Sequence, residues 1–135
     1  MKQQTLLLVF STLLLGCTAD VEVTGDDRCN VDIRWTSYGI QHFKADDWGT
    51  LGYGVAYATA TDGICVFARE VARANGTLSA DFGESDENLA SDTFYRAVIT
   101  PERVMKNAAA MSNNMRDYGA GFVAGYNRFI DDHRQ

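Results

Sequence analysis

One proline and two histidines in 135 residues are the first limits on what this chain can be. So little proline excludes a proline-rich linker, and 12 glycines without a three-residue period exclude a collagen-like chain. Positive charge is also scarce, with 12 Lys and Arg against 18 Asp and Glu, a net charge of −6. Binding to nucleic acid needs clustered Lys and Arg to displace counterions, and no such cluster exists, so no nucleic-acid partner is expected. Only three cysteines occur, none in a C-x-x-C pair or beside a histidine, so no metal or cofactor site is expected either. No apolar run reaches the roughly twenty residues that a membrane-spanning helix requires. What is present is ordinary: 46% apolar and 22% charged residues, and a length that allows one domain at most.

The first residues have an export pattern. Lys2 gives a basic start, residues 5–15 are apolar or weakly polar, and Leu14-Leu15-Gly16-Cys17 follows. This resembles a bacterial lipobox, in which a signal peptide (residues 1–16) is cut before a cysteine that then carries lipid. Lipid on Cys17 would hold the protein to a membrane surface at ~0.8 kcal/mol per buried methylene. Thr18 after the cysteine favours the outer membrane facing the periplasm. Residues 17–30 then read as an acidic tether. An exported setting permits a Cys29–Cys65 disulfide, but spacing leaves that open against two separate thiols.

In residues 31–135, Val31-Asp32-Ile33-Arg34-Trp35 alternates as a half-buried strand does, Thr36 to Gly39 is turn-like, and a second strand follows, giving one β-hairpin. Asp46 or Asp47 can cap a helix that runs to Asn75-Gly76, with Leu51, Val55, Ala58, Val66 and Ala74 on its apolar face. Gly49, Gly52 and Gly54 weaken its first turns, which points to close approach by a neighbouring backbone. Residues 76–87 read as an acidic loop and residues 88–96 as a short helical turn. Thr100-Pro101-Glu102 starts another helix. Behind it Val104, Ala108, Met111, Met115, Tyr118, Phe122, Gly125 and Phe129 follow at alternating spacings of four and three, which predicts a single striped helix to His133. The expected class is α+β, mostly helical.

Several of these segments carry a family resemblance. Tyr38-Gly39-Ile40-Gln41-His42, then Leu51-Gly52-Tyr53-Gly54-Val55-Ala56-Tyr57-Ala58 and Asp62, resemble the start of the α subunit of the penicillin acylases. So do residues 88–96 and Gly125-Tyr126-Asn127-Arg128, the former leaning toward the acyl-homoserine-lactone and aculeacin acylases. Gln41 departs from the family's proline, Thr59 and Thr61 from its glutamines, and Gly63 from a longer polar residue. The resemblance implies part of an αββα N-terminal-nucleophile hydrolase acting on non-peptide C–N bonds of linear amides: β-lactam side chains, N-acyl-homoserine lactones or lipopeptides. In such enzymes a serine at a newly cut β-subunit N-terminus attacks the amide, its own amine serving as base. The implied partners are the remainder of the α subunit and the β subunit bearing that serine. Calcium is a candidate ion for the complete enzyme, with its ligands further along.

No residue of this chain is assigned a catalytic role. Ser112-Asn113-Asn114 imitates the family's junction, but Met111 precedes it and it falls within the striped helix. Cys17, once acylated, loses both nucleophile and base. His42 reads as structural, and Arg34, Asp62 and Asp92 as members of buried or half-buried pairs and caps. A second reading is a non-catalytic, lipid-tethered protein that binds a partner through its apolar helix.

Overall fold

The computed structural model describes residues 20–24, as a strand, and residues 30–134. Lipidation at Cys17 and the thiol of Cys29 lie outside the described residues. Three antiparallel strands, β1 (Asp20–Thr24), β2 (Asn30–Trp35) and β3 (Gln41–Lys44), form a sheet in that order. The expected hairpin is its second half, pairing Arg34 with His42 and Trp35 with Gln41. Its turn closes through a 2.9 Å hydrogen bond from the Gly39 amide to the Thr36 carbonyl, with Gly39 at φ 76°. The reading of residues 17–30 as a tether is corrected in its middle: Asp20–Thr24 pairs along β2, Val21 opposite Ile33 and Val23 opposite Val31. Its alternation of acidic or polar with β-branched residues is a strand pattern that the charge had obscured.

Helix α1 (Trp48–Asn75) begins where Asp47 accepts hydrogen bonds from the Thr50 amide (2.7 Å) and hydroxyl (3.0 Å). It ends at Gly76 in the left-handed region (φ 66°), whose amide returns to the last helical turn. Both ends are as expected. Gly63 leaves helical geometry and kinks α1 between them. The predicted apolar face fails beyond that kink, leaving Val66 70% exposed. Residues of one nominal face point in new directions once the axis turns. In place of that face, Gly52, Tyr53, Gly54, Ala56, Ala58 and Ala60 are buried, because the first half of α1 is covered on two sides. Val31 and Ile33 of the sheet pack against Tyr53 and Ala58, with Trp35, Phe43 and Tyr57 at the margin.

The chain continues as α2 (Leu78–Phe82), α3 (Asp86–Val98), α4 (Pro101–Ala110) and α5 (Asn113–Asp132). The acidic loop of the sequence reading thus contains a short helix, and the short turn over 88–96 is a full helix. The single striped helix is also corrected. Met111 is extended (ψ 143°) and Ser112 caps a new helix, its hydroxyl accepting from the Met115 amide at 3.2 Å. A serine followed by two asparagines offers the backbone local hydrogen bonds that compete with helix continuation. The stripe is divided accordingly. Its α5 part, Tyr118, Phe122, Gly125 and Phe129, is at least half-buried, while nothing on α4 is buried.

Up to the kink, α1 runs parallel to α5 and the two touch backbone to backbone. A methyl group on Gly52 would strike the Tyr118 carbonyl, one on Gly121 the Gly49 backbone, and one on Gly125 the Tyr53 backbone. Beyond the glycines, Tyr57 meets Phe129 edge-on at 5.4 Å, and the kink returns Phe67 to Phe122 (5.5 Å) and Tyr126 (4.9 Å). The expectation of close backbone approach at the α1 glycines is met at Gly52. At Gly54 the neighbour is the Val31 side chain. Gly121→Ala is therefore expected to lower the thermal midpoint by the equivalent of about 1–3 kcal/mol. Gly119→Ala, which faces open space, should leave it unchanged or raise it by up to about 1 kcal/mol. Thermal unfolding of the two variants, followed by circular dichroism, separates seam packing from helix propensity.

Candidate functional site

The motif over residues 88–96 turns out to be a clasp. Asn88, Asp92 and Arg96 recur every four residues on α3 and so share one face. Asn88 donates its amide to the Gly83 carbonyl at 2.7 Å and accepts from Arg69 at 3.3 Å. Asp92, 7% exposed, accepts from the amides of Leu78 (2.8 Å) and Ser79 (3.0 Å) and from the Ser79 hydroxyl. Arg96 donates to the Gly76 carbonyl at 2.8 Å. Three side chains thereby hold the end of α1, the start of α2 and the connector after it. Burial pushes the Asp92 carboxyl upward. Hydrogen bonds from Ser79 and Leu78, with the Arg96 charge, outweigh it and hold the group below the usual carboxylate range.

At the other end of the α1–α5 seam, Tyr57 and Arg128 converge on Asp132 at 3.4 and 2.9 Å. Burial and the Asp132 charge raise the Tyr57 phenol, so it stays protonated and donates. His133 stacks on Phe129 at 4.1 Å between centroids.

The other sequence candidates are dispersed. His42 is exposed on β3, opposite Arg34, which is also exposed rather than buried as expected. Polar alternation on a strand whose other face meets α1 puts both toward solvent. Asp62 is exposed too, but partnered: Gln41 donates to it at 2.5 Å and to the Ala58 carbonyl at 3.3 Å. Gln41, where the resemblance leads one to look for proline, thus ties the hairpin to α1 just before its kink. Ser112 is exposed, and its oxygen serves as a helix cap. Cys65 is an exposed free thiol. Among the described residues no three His, Cys, Asp or Glu side chains gather to hold a metal ion. No described helix is long and apolar enough to cross a membrane.

One apolar hollow of about 430 Å³ opens where α1 and α5 both begin, lined by Trp48, Ser112, Asn114, Met115 and Tyr118. Sequence reasoning missed it because its walls come from residues 64 or more positions apart, on two helices whose parallel alignment brings their first turns together. Its mostly apolar lining, with Ser112 and Asn114 as the polar members, suits an apolar group.

The asparagine–aspartate–arginine clasp has a pH signature. A carboxyl held low in the folded state contributes stability above its unfolded value of about 3.9, and that contribution is lost as pH falls through the folded value. Asp92→Asn should lower the thermal midpoint near neutral pH, and its difference from the unsubstituted chain should shrink as the buffer is taken below about 4. A pH series of melting curves tests this.

Comparison with known proteins adds the last observations. The sequence profile of the family described as Penicillin amidase matches residues 30–135. An acyl-homoserine lactone acylase PvdQ of Pseudomonas fluorescens (strain Pf0-1) is 34% identical over 135 residues, covering 95% of this chain and 17% of its own length. Aculeacin-A acylase of Actinoplanes utahensis is 41% identical over 107 residues, covering 73% of this chain and 14% of its own. Among solved structures, a thermostable penicillin G acylase from Alcaligenes faecalis superposes with a TM-score of 0.68 at 32% identity, over 76% of this chain and 53% of that one. The chain therefore spans about a sixth of the curated relatives it matches.

Proposed function

This chain belongs to the penicillin amidase family, and from that premise we propose that it is an amino-terminal scaffold segment of an amide hydrolase of the N-terminal-nucleophile type. The observation carrying this reading is the family match over residues 30–135, on a fold in which the glycine, 88–96 and Gly125–Arg128 motifs hold helices together. The glycines close the α1–α5 seam, the residues of 88–96 clasp the α1–α2 corner, and Arg128 anchors Asp132. None of these side chains is arranged to attack a carbonyl.

The nucleophilic serine, its amine base and the oxyanion donors then belong to companion parts of the polypeptide, a further α-subunit portion and a β subunit. The substrate class is a linear amide whose acyl group is released. N-acyl-homoserine lactones and aculeacin-like acylated compounds come first, after the names of the relatives, and β-lactam side chains second. Calcium, if the complete enzyme uses it, would be held by those companion parts. The basic start, apolar run and small residue before Cys17 support export and lipid anchoring of that assembly, with the outer membrane as destination. The non-catalytic second reading finds no support among the relatives.

Two measurements test the proposal. The purified chain should give no turnover of a chromogenic phenylacetyl or long-acyl amide, and hydrolysis should appear when the companion segments are supplied. Turnover by the chain alone, lost in Ser112→Ala, would place the nucleophile here and overturn the scaffold role. For the anchor, cells grown with labelled palmitate should label the protein, and Cys17→Ala should abolish the label; label persisting in that variant, or absent throughout, rules the anchor out.

A further inference from the structure

The division of the apolar stripe leaves one part of it without a partner inside this chain. On α5, Tyr118, Phe122, Gly125 and Phe129 are taken up by α1, but α4 is exposed along its whole length, tied to the end of α3 by the Arg103 hydrogen bond to the Val98 carbonyl. Its apolar residues are nevertheless ordered. Pro101, Val104, Met105 and Ala108 fall within about 100° of one another on a helix of 3.6 residues per turn, opposite Glu102 and Lys106. Val104 is 49% exposed, Met105 71%, and Met115, in the first turn of α5, 53%. At that point the hollow opens between Trp48, itself 51% exposed, and Met115 and Tyr118. A helix of ten residues is marginal in water on its own propensity, so a free-standing amphipathic α4 needs a surface to lie against.

We infer that the α4 face and the Trp48–Met115–Tyr118 hollow together form the docking surface for a companion segment of the same acylase polypeptide. An apolar side chain of that segment fills the hollow, and α4 lies across its surface. This rests on the family reading above and assigns where the pieces meet. Two observations choose this occupant. The relatives are about six to seven times as long as their matched spans, so the fold they share has far more polypeptide to place against this segment than the segment contains. The chemistry of the surface, methionine and tryptophan around a rim of Ser112 and Asn114, is that of a buried interface centre with a polar edge. A second copy of the chain would leave that additional polypeptide unplaced, and a fatty acyl ligand would fill the hollow without covering α4.

The test co-expresses this chain with the Pseudomonas fluorescens acylase polypeptide from which the matching segment has been removed. Affinity capture then compares the unsubstituted chain, Met105→Asp/Met115→Glu, and Val123→Asp as a control at an exposed α5 position away from the hollow. Circular dichroism and the melting midpoint of each variant confirm that the fold is kept. Capture of the companion by the unsubstituted chain and the control, reduced at least tenfold by the double variant, supports the surface. Equal capture by all three, or none by the unsubstituted chain, overturns it. So does concentration-dependent self-association that the double variant abolishes, or saturable quenching of tryptophan fluorescence by laurate without capture. Amide hydrolysis is read on the same samples. A captured but inactive pair refutes the hydrolase reading alone, and an active pair indifferent to the double variant refutes the surface alone.

Discussion

Everything in this fold is arranged around a contact that only glycine permits, the backbone-to-backbone approach of α1 and α5. Two helices ordinarily stand 8–10 Å apart, held off by their side chains. Here Gly49 and Gly52 on one and Gly121 and Gly125 on the other remove those spacers, so each helix lies in the groove of its neighbour. The closeness leaves no volume for a large core, and the buried side chains between sheet and helices are few and mostly small. Aromatic residues close the seam beyond the glycines, Tyr57 on Phe129 and Phe67 on Phe122 and Tyr126. The sheet then needs to cover only the opposite side of α1, where Val31 sits over Gly54.

The contact explains why the family motifs are specific for glycine. Leu51-Gly52-Tyr53-Gly54 and Gly125-Tyr126-Asn127-Arg128 are far apart in sequence, yet they are the two halves of one surface. Any side chain at Gly52 or Gly125 meets main-chain atoms that cannot move aside. The clasp on α3 is specific for a different reason. Its carboxylate is the acceptor for two amides at the start of α2, a helix too short to supply its own stability.

Much of this was legible in the residues. The cap at Asp47, the stop at Asn75-Gly76, the β2–β3 hairpin and the start at Pro101 each follow from local chemistry that acts within a few positions. The kink at Gly63 was not legible, because an interior glycine is compatible with a continuous helix. Misplacing it misassigned the buried face from Val66 onward. The break at Met111-Ser112 was obscured by the stripe itself: a heptad spacing continues across a bend as readily as along a straight axis. Gly121 escaped notice because a glycine adds nothing to an apolar pattern, although it makes the tightest approach in the structure. The hollow depends on the parallel alignment of helices 38 residues apart in the chain, and no local rule reports that.

That parallel alignment has an electrostatic consequence. Neighbouring helices that run in opposite directions partly cancel their dipoles, whereas α1 and α5 add theirs, each contributing about half a positive charge where it begins. Asp47, the N-cap of α1, stands at that same end, in a chain already carrying an excess of negative charge. Its carboxylate acts as a counterion to the paired helix starts, so part of the molecule's acidity neutralises a field that its own backbone creates.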